Sequence, residues 1–208
     1  MKRIYLVRHG ETNANLNKTV TGKSEPLNET GLVQAEKFAV RMESFDFEKL
    51  FVSDFLRAQQ TAAPIITTKH MNPNIEAAFG EALEPSSLFG ISEDSEIVME
   101  HKRNRNSNIE NPLWRQEDGE NFEDIFKRVT TAKRILEEDT AENILVVSHS
   151  FFLQLFTAAI LLNNSAPTNN WLQIARTLKI SNVGITLLTF DKDVWRLVMW
   201  NDHSHFAE

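Results

Sequence analysis

Two short segments carry most of the reactive side chains of this 208-residue chain: Arg8-His9-Gly10 near the start and Ser148-His149 much later, each after a short apolar run. Between them, Arg57 follows the run Leu50-Phe51-Val52 and Ser53, and Glu81 follows Phe79. Two guanidinium forks bind phosphoryl oxygens bidentately, and two imidazoles add hydrogen bonds or a nucleophile. Together they would hold a phosphate monoester dianion with neither a metal nor a glycine-rich loop. The chain has no cysteine, so the nucleophile of such a site has to be histidine. Disulfide frameworks, thiolate zinc sites and iron-sulfur clusters are excluded by the same absence. A carboxylic acid at the rim would protonate the leaving oxygen and later deprotonate an attacking water.

Such a set converges only if each member sits at the end of a strand in one sheet. Arg3 to Val7 is a short run rich in β-branched and aromatic residues and predicts a buried strand; Lys49 to Val52, Ile75 to Phe79 and Ile144 to Val147 predict three more. Helical spacing of Leu32, Ala35, Phe38, Ala39 and Met42 predicts a helix capped by Thr30, and Ser53 and Asp54 are candidate caps for a helix carrying Leu56, Gln60 and Ala63, limited or kinked by Pro64. Ile125, Val129, Ala132 and Leu136 mark another helix, and 151–162 an apolar one. The last segments, 185–190 and 195–200, read as a hairpin. Alternating strands and helices imply an α/β three-layer sandwich, a mainly parallel sheet flanked by helices with an antiparallel C-terminal hairpin. Ligands of such sheets bind beyond the carboxyl ends of the strands.

With 22 Lys and Arg against 29 Asp and Glu, the net charge is -7, so no general attraction to nucleic acid or to an anionic membrane is expected. The apolar run 4–7 is shorter than a signal-peptide core and no stretch reaches membrane-spanning length, which fits a cytoplasmic protein, monomer or homodimer. A single domain over 1–208 is the simplest parse, with a polar, lid-like excursion at about 84–118 that contains a short helix near Glu96 to Arg103. In that excursion Lys102-Arg103-Asn104-Arg105 is an ordinary solvated face or a greeting surface for an anionic substrate, and Trp114 is a packing or substrate-facing residue. Asp202-His203-Ser204-His205 lacks a third clustered ligand and is read as a polar tail rather than a metal site. The triplet Asn163-Asn164-Ser165 fits the glycosylation pattern by chance.

Leu6-Val7-Arg8-His9-Gly10-Glu11-Thr12, with Asn15 beyond it, resembles the signature of the histidine phosphatase superfamily, in its phosphoglycerate mutase-like branch. Ser53-Asp54-Phe55-Leu56-Arg57-Ala58-Gln59-Gln60-Thr61-Ala62 is similar to the second family motif and Val146-Val147-Ser148-His149 to the third. Gly22 to Leu27, Asp118-Gly119-Glu120-Asn121-Phe122 with Arg128, and Asn182, Trp195, Asn201-Asp202 and His205 extend the likeness over nearly the whole chain.

The resemblance implies that His9 is phosphorylated, that Arg8, Arg57 and His149 form the phosphate pocket, and that Asn15, Thr21, Gly22, Ser148 and Ser150 contribute to substrate binding. It implies no cofactor and no metal. Phe79-Gly80-Glu81 fits the acid's pattern and makes Glu81 the preferred acid, with Leu83-Glu84 close by as the alternative. Two departures stand out: Ser150 replaces the usual glycine after the second histidine, and the segment after the acid lacks the common Gly-Trp-Glu-Gly-like run. The implied activity is a metal-independent phosphomonoesterase acting on a small phosphorylated metabolite through a phosphohistidine. The alternatives are mutase-type transfer from the same histidine, or a non-catalytic phospho-ligand binder.

Overall fold

The computed structural model describes residues 1–162 and 168–206; the Asn163-Asn164-Ser165 triplet lies outside them. Strands β1 (Lys2–Arg8), β2 (Lys49–Val52), β3 (Asn74–Ile75), β4 (Asn143–Ser148), β5 (Ile185–Asp191) and β6 (Val194–Asp202) alternate with helices α1 (Asn13–Asn17), α2 (Glu29–Met42), α3 (Leu56–Lys69), α4 (Glu96–Ser107), α5 (Phe122–Glu138), α6 (Ser150–Leu161) and α7 (Thr168–Ala175). Among the described residues the strands form one sheet in the order β3-β2-β4-β1-β5-β6. The first four of that order are mutually parallel, and β5 and β6 add an antiparallel hairpin.

Strand alternation sorts the apolar residues into two cores, because successive side chains point to opposite faces. Ile4 and Leu6 of β1, Ile144 and Val146 of β4 and Phe51 of β2 pack with α5, α6 and α7. Tyr5, Val7, Leu145, Val147, Leu50 and Val52 face the other way, against α2 and α3. The parallel strands are buried on both faces, which is why they read as near-continuous apolar runs.

Register places the chemistry. Val7 lies opposite Val147 and Arg8 opposite Ser148, while Val52 also lies opposite Val147. The residues that leave these strands, His9, His149 and Ser53, therefore start from neighbouring positions at one end of the sheet. The first loop is pressed down by α2: a Cβ on Gly31 would lie 2.0 Å from the Glu11 carbonyl oxygen, and one on Gly10 would lie 2.7 Å from the Gly31 carbonyl oxygen.

Several local expectations change. The cap of α2 is Asn28, whose side chain accepts from the Gly31 N–H and donates to Glu11 Oε1; Thr30 lies inside the first turn. Both residues are good caps, and the tie to Glu11 selects Asn28. Leu32 is exposed, and the buried stripe runs through Gly31, Ala35, Phe38, Ala39 and Met42. The third strand is only Asn74–Ile75, since the chain turns into a 3-10 helix at Ala77–Phe79. Helix α3 is entered from Phe55 without a side-chain cap and continues through Pro64 to Lys69. Ser53 does accept from the Phe55 N–H, but its main partner lies elsewhere.

Candidate active site

A cleft of about 420 Å³ opens above the carboxyl ends of β1, β2 and β4. Arg8, His9, Arg57 and Glu81 line its floor, and Asn15, Thr21 and Ser150 line its walls. Strand ends supply His9 and His149, the first turn of α3 supplies Arg57, and the loop after the 3-10 turn supplies Glu81.

His9 is almost fully buried. Its Nδ1 lies 2.6 Å from the Gly10 carbonyl oxygen, and its Nε2 lies 3.1 Å from Arg57 Nε. A carbonyl only accepts and a guanidinium only donates, so the partners fix the tautomer: Nδ1 carries the proton and Nε2 presents its lone pair. Burial, then the charges of Arg57 and Arg8, hold the imidazole well below its ordinary value of 6.5. At neutral pH it is a neutral imidazole beside two cations.

Arg57 also donates to the Gly22 carbonyl oxygen at 2.9 Å and stacks on Phe55, 4.8 Å from the ring centre. Burial brings its guanidinium down to about 10, so it stays charged at neutral pH. Arg8 donates through Nη1 to the Ile180 carbonyl oxygen, and its buried Nε has no partner among the described residues.

The same tautomer logic applies to His149, a fully buried ring 5.1 Å from that of His9. Ser53 Oγ accepts from the Phe55 N–H and lies 2.7 Å from His149 Nε2, to which its hydroxyl can donate. The ring proton then belongs on Nδ1, a buried atom without a partner among the described residues. A buried donor of this kind needs an acceptor, and a phosphoryl oxygen is one. Burial, then Arg57 and His9, push this imidazole well below its ordinary value.

Glu81 meets the start of α6. Its Oε1 accepts from Phe152 and Ala82 N–H at 3.0 and 3.1 Å, and Oε2 from Phe151 N–H at 3.1 Å. Arg128 fastens its loop from behind, donating to the Gly80 carbonyl oxygen and pairing with Glu120 at 2.7 Å. Glu84 lines the cleft as well, but it bonds His101 Nε2 and Arg105 Nη1, each at 2.7 Å. Burial raises its carboxyl, yet the His101 and Arg105 bonds outweigh that and bring it to about 2. It is an ionised strut between the loop and α4, a poor source of a proton.

Not every expected residue reaches the cleft. His149 is fully buried beneath the cleft, behind His9, and is not among its lining residues, and Gly22 contributes its carbonyl to Arg57 and no lining surface. Ser148 is fully buried, with its hydroxyl donating 2.6 Å to the Phe79 carbonyl oxygen, so it holds the acid's loop from behind. Trp114 packs near His101, 6.3 Å between ring centres, and is not among the lining residues of the cleft. Lys102 and Arg105 of α4 do line it.

Thr61 and Asn182 stand in the sequence only as members of family-like motifs, without an assigned role, and Gln154 stands in none. Thr61 accepts from the Gly10 N–H at 3.0 Å and donates to the Arg57 carbonyl oxygen at 2.7 Å, which ties the nucleophile loop to α3. Asn182 donates to the His9 carbonyl oxygen at 3.0 Å and to Asn15 Oδ1 at 3.2 Å. Gln154 lines the wall. Among the described residues no group of three or more His, Asp or Glu is arranged to hold a metal ion, and no helix is long and apolar enough to cross a membrane.

Paired imidazoles and guanidiniums above a parallel sheet are a set able to hold a phosphoryl group. Residues 4–203 match the histidine phosphatase superfamily, branch 1, and the chain belongs to it. Among curated relatives, it is 28% identical over 167 residues to the adenosylcobalamin/alpha-ribazole phosphatase of Escherichia coli, covering 76% of this chain and 79% of that protein. It is 27% identical over 206 residues to a probable phosphoglycerate mutase, GpmB, of Cronobacter sakazakii, covering 96% of this chain and 90% of that protein. The fold matches the crystal structure of a putative alpha-ribazole-5'-P phosphatase from Escherichia coli with a TM-score of 0.80 and 24% identity, over 97% of this chain and 98% of that one.

Proposed function

We propose that the protein is a metal-independent phosphomonoesterase that works through a phosphohistidine on His9 and acts on a small phosphorylated metabolite, with the cytoplasm as its site of action. The observation that carries this reading is the fixed tautomer of His9, with Nδ1–H on the Gly10 carbonyl and the Nε2 lone pair facing the cleft cations.

As Arg57 Nε–H turns from Nε2 to a phosphoryl oxygen, the freed Nε2 lone pair attacks phosphorus in line, and the bond from phosphorus to the ester oxygen breaks as the N–P bond forms. Glu81 gives its proton to the departing oxygen. Its Oε2, which accepts one backbone N–H where Oε1 accepts two, keeps a lone-pair site for that proton. Arg8, Arg57 and the Nδ1–H of His149 take the charge on the equatorial oxygens. Water then attacks the phosphohistidine, Glu81 takes its proton, and inorganic phosphate leaves with His9 restored.

Phosphate release from a panel of phosphomonoesters in the presence of a chelator tests the proposal. Wild-type protein releases phosphate and a His9→Ala variant does not; full activity in that variant refutes it. A mutase reading is favoured by the likeness to a probable phosphoglycerate mutase along 96% of this chain. Phosphorus NMR separates the two, because a mutase moves the phosphoglycerate peak to its isomer without free phosphate once primed by a trace of bisphosphoglycerate.

A further inference from the structure

Lys102 and Arg105, two of the three Lys and Arg residues of α4, line two cavities. One is the catalytic cleft. The other, of about 210 Å³, lies between α4 and the starts of α5 and α6, where Lys102, Arg105 and Arg176 meet Phe122, Phe151 and Leu172. Phe151 is shared as well, so the two cavities meet along three common side chains.

Their charges differ. In the cleft, Glu81, Glu84 and Glu93 stand among the cations, and Lys102 and Arg105 are paired there with Glu93 and Glu84. Among the described residues no carboxylate lines the second cavity. Arg176 bonds the Asn106 amide oxygen at 2.7 Å, and among the described residues no carboxylate forms an ion pair with it. A guanidinium has five N–H donors, and Arg176 is exposed, so most of this one's fork faces solvent and is open to a ligand. An uncompensated cation beside apolar rings fits a ligand with an apolar stretch ending in an anionic group.

We propose that the second cavity is an anion subsite of the same active site, and that the preferred substrates are phosphomonoesters carrying a second anionic group, such as a carboxylate, at the far end of an apolar spacer. The scissile phosphate sits over His9, the spacer crosses Phe151, and the distal anion pairs with Arg176 beside Lys102 and Arg105. This rests on the reading of the cleft as a phosphate site, and it goes further by selecting among phosphate esters.

The test is calorimetry with alkyl phosphonates of graded chain length, each in a form ending in a methyl and a form ending in a carboxylate, at low ionic strength. For the chain length that spans the two cavities, the carboxylate form binds wild-type protein about three- to tenfold more tightly, the range expected for a partly exposed charged contact. Salt narrows the gap. Arg176→Gln brings the ratio to about one, and Arg176→Lys keeps part of it. Equal affinity of the two forms at every length, a preference that survives Arg176→Gln, or no binding of any phosphonate overturns the proposal. Turnover of the matching phosphate esters is read separately: phosphonates that bind with the carboxylate preference while their esters go unhydrolysed refute the phosphatase reading and leave the subsite standing.

Discussion

Replacing Glu84 by Gln distinguishes a strut from an acid. Its carboxyl falls from an ordinary 4.5 to about 2 in the folded protein, and one unit corresponds to 1.36 kcal/mol, so ionisation adds up to ~3 kcal/mol of stability. The side chain is 23% exposed, and solvent screening brings the expected loss in Glu84→Gln to about 2 kcal/mol. For a chain of this length that lowers the thermal midpoint at pH 7 by about 4–8 °C. Because the folded value lies below the unfolded one, the contribution is fully present above about 4.5 and drains away as the pH falls toward 2. Turnover of a simple aryl phosphate largely survives in Glu84→Gln, whereas Glu81→Gln loses about 10²- to 10⁴-fold in kcat. An unchanged midpoint in Glu84→Gln, or a kcat that collapses there while Glu81→Gln stays active, would refute the division of labour between the two carboxylates.

Other outcomes follow from the same geometry. Ser53→Ala removes the donor that orients His149, and kcat/KM in steady-state assays drops about 10- to 100-fold, unlike the small effect expected of a mere helix cap. The acid limb of the kcat/KM profile falls below pH 6.5, because burial and two arginines keep His9 unprotonated; a limb at or above that value contradicts the assignment. Below pH 6.5 the unfolded chain binds protons that His9 and His149 refuse when folded, so urea unfolding shows stability falling with pH in that range. Gly31→Ala forces a Cβ into the Glu11 carbonyl and lowers stability by about 1–3 kcal/mol, measured by the same unfolding.

The elements that carry chemistry were legible because they are buried strands ending in polar residues. Arg8, His9 and His149 announce themselves at once, and the alternation of Ile4, Tyr5, Leu6 and Val7 even assigns the two core faces. Ser53 was not legible in its role. A serine before a helix looks like a cap, and its bond to His149, a residue 96 positions away, exists only because β2 and β4 are neighbours. Glu81 and Glu84 look alike in sequence; the start of α6 and the His101-Arg105 pair tell them apart. The family resemblance places Ser148 in substrate binding, yet its side chain is fully buried and bonds the Phe79 carbonyl oxygen. Arg176 carries no pattern of its own and gains meaning only from the approach of the end of α7 to α4.

The most direct measurement is rapid quenching of wild-type protein with a radiolabelled phosphate ester, followed by peptide mapping under alkaline conditions that preserve phosphohistidine. Label that is acid-labile, resides on the peptide containing His9, and forms and decays at rates consistent with turnover is the predicted result. Turnover with no labelled protein, or label on any other residue, would contradict the account.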